Sequence, residues 1–118
     1  MGSLVVARCE CGLVTEFGVG GGRRNYLTTC YFPCRCSACR AVVQVNLLAK
    51  PPVCPLCNST DVLPYDQPEL IGVKGEVNVV QWSMQRALGR DLVLTDGLYL
   101  CPGCGDLSLR FFAEGLWD

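Results

Sequence analysis

The sequence contains no histidine, and only 18% of its 118 residues are charged. Without histidine there is no imidazole general base, no Ser-His-Asp or Cys-His nucleophile system, and no His-ligated metal site. No apolar run approaches the ~20 residues of a membrane span, and none resembles a signal-peptide core. The length supports one compact domain or two very small ones. An apolar content of 50% argues against intrinsic disorder.

The formal charge is −1, but the two signs are unevenly distributed. Residues 1–50 hold six basic and two acidic side chains, whereas residues 51–118 hold four basic and nine acidic ones. The balance excludes a globally basic DNA-binding surface and leaves room for a local one. The candidate contacts to a nucleic-acid or protein partner are Arg23, Arg24, Arg35 and Arg40. For the first two, a solvated hairpin tip is the simpler interpretation.

Ten cysteines form the most informative pattern in the chain. Six make three C-x-x-C pairs, two make a tighter C-x-C pair, and two stand apart. These are Cys36/Cys39, Cys54/Cys57 and Cys101/Cys104, then Cys9/Cys11, and finally Cys30 and Cys34. We expect a cytoplasmic protein, in which disulfides would not persist and metal explains the cysteines better. A secreted disulfide framework that has lost its leader is the alternative.

Two of the C-x-x-C pairs are predicted to share one metal ion. A C-x-x-C turn places two sulfurs on one side of a tight loop, and two facing turns surround an ion with four thiolates. The pairs are separated by 14 residues, close to the usual spacing of zinc sites. Zn²⁺ suits four thiolates because it is borderline soft and imposes no geometry of its own. The predicted ligands are Cys36, Cys39, Cys54 and Cys57.

The remaining C-x-x-C pair needs partners, and the residue after each second cysteine indicates which. A metal knuckle turns sharply there, so a residue that tolerates positive φ is favoured. Gly12, Asn58 and Gly105 meet this requirement, and only Arg40 departs from it. The expected second set is Cys9, Cys11, Cys101 and Cys104. Cys30 and Cys34 remain the alternative partners for Cys101/Cys104, and are otherwise expected to be small buried apolar side chains.

Alternation of apolar and polar residues predicts a chain that is mostly strand. The predicted strands cover 13–19, 25–32, 41–47, 92–95, 98–100 and 107–111. Pro33 is expected to end the second of these, and Asp96-Gly97 to join the 92–95 and 98–100 strands as a hairpin. Residues 64–75 are predicted to be a connector. The one helix candidate is 81–88, ended by Gly89.

The stretch from Cys36 to Asn58, with a second half-match at Cys101–Gly105, resembles the zinc-ribbon and rubredoxin-like superfamily. The resemblance implies a small antiparallel β architecture with four-cysteine zinc sites. We therefore predict a mainly β fold of zinc-ribbon-like hairpins with two metal knuckle sites and one short helix, a small α+β arrangement being the variant. Residues 1–118 are expected to form one interlocked domain, with an inner ribbon at about 30–65 and an outer site joining 5–25 with 90–118.

These observations favour a non-catalytic protein with two Zn²⁺ ions per chain, because four-thiolate sites leave no open position for a substrate. A protein or nucleic-acid partner is expected, but no membrane and no small-molecule substrate. A rubredoxin-like redox module holding iron is the alternative. An enzyme that uses Cys30 or Cys34 as its nucleophile is the least favoured hypothesis, because no histidine is present to activate the thiol.

Overall fold

The computed structural model describes residues 2–21 and 28–117. Within them the chain forms ten strands, all paired antiparallel, one 3-10 turn and one four-residue α-helix. The strands are β1 Gly2–Arg8, β2 Val14–Val19, β3 Tyr31–Cys36, β4 Ala41–Asn46, β5 Val62–Pro64, β6 Ile71–Val73, β7 Asn78–Met84, β8 Arg90–Thr95, β9 Leu98–Tyr99 and β10 Arg110–Trp117. The 3-10 turn is Pro68–Leu70, and the helix α1 is Gln85–Leu88. The predicted mainly β fold with one short helix is confirmed.

Two three-stranded sheets hold most of the pairing. The first has the order β10-β1-β2, so the two ends of the described chain are neighbours, with Gly2 opposite Trp117 and Arg8 opposite Arg110. The second has the order β4-β3-β5. Single bridges extend these sheets, one between Gly20 and Tyr31 and one between Tyr99 and Leu109. Two further ladders, β6-β9 and β7-β8, complete the structure.

The main core is built around stacked aromatic side chains. Phe111 lies edge-on to Tyr99 at 4.9 Å, to Tyr65 at 5.3 Å and to Phe17 at 5.9 Å between ring centroids. Edge-to-face packing is the favoured geometry for such rings. The buried Tyr65 hydroxyl donates a hydrogen bond to the Leu100 carbonyl at 2.8 Å, so this core fixes the chain just before Cys101.

The predicted helix over 81–88 is wrong in its first half. Residues up to Met84 belong to β7, and only the last four form the single turn α1. In β7 the buried Val80 and half-buried Trp82 alternate with exposed Gln81 and Ser83, which is a period of two. The predicted stop at Gly89 is confirmed, since its φ of 73° ends the helical turn.

The predicted hairpin at Asp96-Gly97 is also wrong. The flanking strands exist, but β8 pairs with β7 and β9 pairs with β6. A two-residue hairpin turn of the Asp-Gly kind needs positive φ at both residues, and neither has it. Instead, the Asp96 carboxylate accepts hydrogen bonds from the backbone N–H groups of Glu76 and Val77 at 2.9 and 3.1 Å.

Pro33 does not end a strand, because it lies inside β3 opposite Gln44. Its carbonyl accepts a hydrogen bond from the N–H of Tyr65, just beyond the end of the three-residue β5. The backbone nitrogen and carbonyl of a strand residue point to the same side, so the Pro33 nitrogen also faces the β5 side. The missing N–H of Pro33 therefore removes no hydrogen bond from the ladder with β4. The predicted 25–32 strand is thus shifted along the chain, and residues 25–27 lie outside the described part. The predicted 64–75 connector also contains β6.

Candidate metal centres

The structure brings eight sulfurs together as two groups of four, with all sulfurs of a group within 4.8 Å of one another. The inner centre is Cys36, Cys39, Cys54 and Cys57, and the outer centre is Cys9, Cys11, Cys101 and Cys104. The inner centre lies at the end of the β4-β3-β5 sheet, because Cys36 is the last residue of β3. The outer centre joins the turn after β1 to the loop between β9 and β10.

Sulfur–sulfur distances test whether these groups suit a metal. Two sulfur pairs of the inner centre are 3.5 and 3.7 Å apart, and two pairs of the outer centre are 3.6 and 3.7 Å apart. A tetrahedral zinc site with Zn–S bonds of about 2.3 Å places its sulfurs about 3.8 Å apart. A disulfide requires about 2.05 Å, and all ten cysteines are free. The donor sets therefore fit a tetrathiolate metal site.

All four knuckles turn through the left-handed region after their second cysteine. The φ angles there are 99° at Gly12, 52° at Arg40, 60° at Asn58 and 78° at Gly105. Arg40 was the apparent exception in the sequence, and it adopts the same conformation despite its Cβ. The turn is therefore imposed by the geometry of the knuckle and not by the residue that occupies it.

Each C-x-x-C knuckle is closed by backbone hydrogen bonds. In the Cys54 knuckle, the Cys54 N–H donates to the Ser59 carbonyl and the Asn58 N–H donates to the Cys54 carbonyl, both at 2.9 Å. The Cys101 knuckle repeats both bonds at 2.8 Å, through Asp106 and Gly105. In the third C-x-x-C knuckle, which begins at Cys36, Cys36 and Ala41 are partners in the β3-β4 ladder.

The tight C-x-C pair closes in the same way with one residue fewer. The Cys9 N–H donates to the Leu13 carbonyl, and the Gly12 N–H donates to the Cys9 carbonyl, both at 3.0 Å. The shorter ring still directs the Cys9 and Cys11 sulfurs towards Cys104 and Cys101. The unusual spacing is therefore a shortened knuckle with the same function in the fold.

One sulfur in each centre is favoured as a thiolate. The backbone N–H of Cys11, followed by the Ser108 hydroxyl at 3.1 Å, lowers the pKa of Cys9 to about 6. The backbone N–H of Cys39 lowers the pKa of Cys36 to about 7. Donors directed at a sulfur stabilise its charged form. Ser108 was missed by the sequence analysis, since its contact with Cys9 depends on the fold.

Other sulfurs hold their protons more tightly. Burial raises the pKa of Cys101 to about 12, and the neighbouring Cys36 sulfur raises the pKa of Cys39 to about 12. Metal ligation requires thiolates, so a bound cation must displace these protons. The two centres thus couple metal binding to proton release.

Cys30 and Cys34 lie outside both groups of four. They are 1% and 0% exposed, and burial raises the pKa of both thiols, to about 11 for Cys30. The Cys34 thiol donates a hydrogen bond to the Phe32 carbonyl at 3.7 Å. Both residues therefore act in this structure as small buried side chains.

The four candidate arginines divide into two kinds. Arg23 and Arg24 lie outside the described residues. Arg35 is half-buried on β3, and Arg40 is exposed directly after Cys39. Arg35 and Arg40 are therefore the ones that the structure places beside the inner centre.

Within the described ranges, no helix has the length and apolarity that crossing a bilayer requires. Comparisons with protein-family models, with curated proteins and with solved structures found no match for this chain. The interpretation of its centres therefore rests on its own geometry: two groups of four cysteines that could each hold a metal ion.

Proposed function

We propose that this protein is a non-catalytic zinc-binding module of the cytoplasm, with one structural Zn²⁺ in each centre. The observation that carries the proposal is that each group brings four sulfurs within 4.8 Å of one another, with contacts of 3.5 to 3.7 Å that suit tetrahedral zinc. A tetrathiolate leaves no coordination position for substrate or water, so the ion would serve as a crosslink. Zinc would be bound by Cys36, Cys39, Cys54 and Cys57 in the inner centre, and by Cys9, Cys11, Cys101 and Cys104 in the outer one.

The energetic role of such ions is large for a chain of this size. Structural zinc contributes on the order of 10 kcal/mol to the folding of small domains at neutral pH. The outer centre would fix the start of the chain to its last third, and the inner centre would fix the ends of β3 and β4 to the loop before β5. A scaffold held in this way would present its surface to a protein or nucleic-acid partner.

Elemental analysis of natively purified protein tests the proposal. We expect two zinc ions per chain, with Cys30 and Cys34 as the only thiols that are not ligands. Cys57→Ala and Cys104→Ala should each retain one ion, and the control Cys34→Ala should retain two. Cys57 and Cys104 are exposed, so their loss removes a ligand without removing buried packing.

Different results would contradict the zinc assignment, change the metal, or identify the partner. A wild-type protein without metal, or a Cys57→Ala variant that keeps both ions, would overturn the assignment. Iron, with the red colour of a ferric tetrathiolate, would replace it with the rubredoxin-like redox module. A mobility shift with nucleic acid at low salt that weakens at moderate salt would identify that kind of partner, and its absence would favour a protein.

A further inference from the structure

A cleft of about 400 Å³ lies between the two centres. One wall is formed by the knuckle after β3 and the other by the Cys101 knuckle. Cysteines of both centres therefore line the same cleft, Cys36 on one side and Cys101 and Cys104 on the other. Because the two walls belong to different knuckles, the shape of the cleft depends on both centres being intact.

Of the described residues, the charged ones that line this cleft are two arginines, Arg35 and Arg40, and none is a carboxylate. Among the described residues, neither guanidinium has an ion-pair partner. The Nε of Arg35 is buried and has no hydrogen-bond partner. Buried donors are almost always paired in proteins, so this N–H is an unmet hydrogen bond among the described residues.

The metal thiolates are the first acceptors to consider, since each zinc centre would carry a net charge of −2. The sulfurs at the cleft already receive backbone donors, however. Cys101 is approached by the N–H groups of Gly103 and Cys104, and Cys36 by that of Cys39. The arginines offset the charge of the centres at a distance, and their guanidinium forks are left for another partner.

Three further donors of the cleft are already engaged. The Ser37 hydroxyl and its N–H both donate to the Asp61 carbonyl, and the Gly105 N–H donates to Cys101. Recognition in the cleft therefore depends on the two guanidinium groups. A guanidinium matches a planar pair of acceptor oxygens, such as those of a phosphate group.

We propose that the cleft between the two centres binds a phosphate ester, whose oxygens accept hydrogen bonds from Arg35 and Arg40. The inference rests on the proposed zinc sites, because they would hold the two walls in place. Small-molecule sites span about 300–1,000 Å³, so a cleft of this volume accommodates the phosphate with part of its organic group. A free nucleotide and a phosphorylated nucleic-acid end share this chemistry.

The test is an NMR titration of zinc-loaded protein that follows the arginine Nε–H resonances. The probes are inorganic phosphate, thymidine 5′-monophosphate and a 5′-phosphorylated pentathymidylate, with unphosphorylated thymidine and sodium chloride at matched ionic strength as controls. We expect the phosphate probes to shift the Arg35 Nε–H resonance saturably and the controls to leave it unchanged. Tighter binding of the oligonucleotide than of the monophosphate would identify a nucleic-acid end, and equal affinities a small phosphorylated ligand.

The variants test whether phosphate binding depends on the arginines of the cleft or on positive charge anywhere on the protein. Arg40→Gln should weaken binding of thymidine 5′-monophosphate about tenfold or more, since it removes a charged hydrogen-bond donor. Arg86→Gln removes an exposed arginine of α1 that does not line the cleft, and should bind like the wild type. Arg35→Gln should also weaken phosphate binding, and its result counts if the variant still holds two zinc ions. If Arg35→Gln loses zinc, Arg40→Gln alone tests the cleft.

Two results would overturn the proposal. One is a phosphate-induced shift no larger than that of chloride, and the other is an Arg40→Gln variant with wild-type affinity. Zinc content, measured on the same samples, distinguishes this failure from failure of the metal sites. A fully zinc-loaded protein that ignores phosphate refutes the cleft alone, whereas a metal-free protein refutes the proposed function.

Discussion

Replacing Arg40 by glycine should stabilise the protein. Arg40 has a φ of 52°, a conformation that costs an L-residue with a Cβ roughly 1–2 kcal/mol. Glycine avoids this cost, but it loses about 0.5–1 kcal/mol through the greater freedom of the unfolded chain. The expected gain for Arg40→Gly is therefore about 0.5–1 kcal/mol. In a chain of this length that raises the melting temperature by about 2–4 °C.

The matched control is Arg40→Ala, which removes the same charge and retains the Cβ. Unfolding of both variants and of the wild type would be followed by circular dichroism at one fixed free zinc concentration. The buffer should contain no phosphate, because any ligand that binds only the folded state raises its apparent stability. We expect Arg40→Gly to unfold at a higher temperature than Arg40→Ala. Equal stability of the two variants would refute the expected gain, because it would mean that the left-handed turn costs no more than the extra unfolded-chain entropy of glycine.

Two further substitutions test the packing of the main core. Gly20→Ala should cost about 2–4 kcal/mol, because the position has a φ of 89° and a Cβ there would lie 2.6 Å from the Trp82 ring; an unchanged denaturation midpoint would contradict this packing. Tyr65→Phe should cost about 1–2 kcal/mol through the lost hydrogen bond to Leu100, with the zinc content unchanged. Denaturant unfolding measures both effects, and a Tyr65→Phe protein as stable as the wild type would mean that the Leu100 carbonyl finds another donor.

The grouping of the cysteines could be predicted because knuckle chemistry is local. A C-x-x-C spacing, or Gly12 after Cys11, determines the turn within a few residues, and the structure brings those same sulfurs together. The strand over 41–47 was predictable for a similar reason, since apolar alternation is a local signal, and β4 covers 41–46.

Strand partners could not be predicted, because they depend on residues distant in sequence. Asp96-Gly97 has the composition of a hairpin turn, yet the Asp96 carboxylate binds the loop before β7. The cleft could not be predicted from the sequence either, because Arg35 and the Cys101 knuckle are brought together only by the fold. Arg40 shows the converse, a knuckle that imposes its turn on an unfavourable residue.

The two centres place different demands on the fold. The Cys39–Cys54 contact spans 15 residues, and the inner centre packs in a small cluster of its own with Cys34, Val43 and Val45. The Cys11–Cys101 contact spans 90 residues, which adds about 1.5 kcal/mol of loop-closure entropy. The β1-β10 ladder offsets much of that cost, because it already holds the two ends of the chain side by side. The outer centre thus depends on an assembled main core, of which Cys101 is part, whereas the inner centre needs only its own sheet.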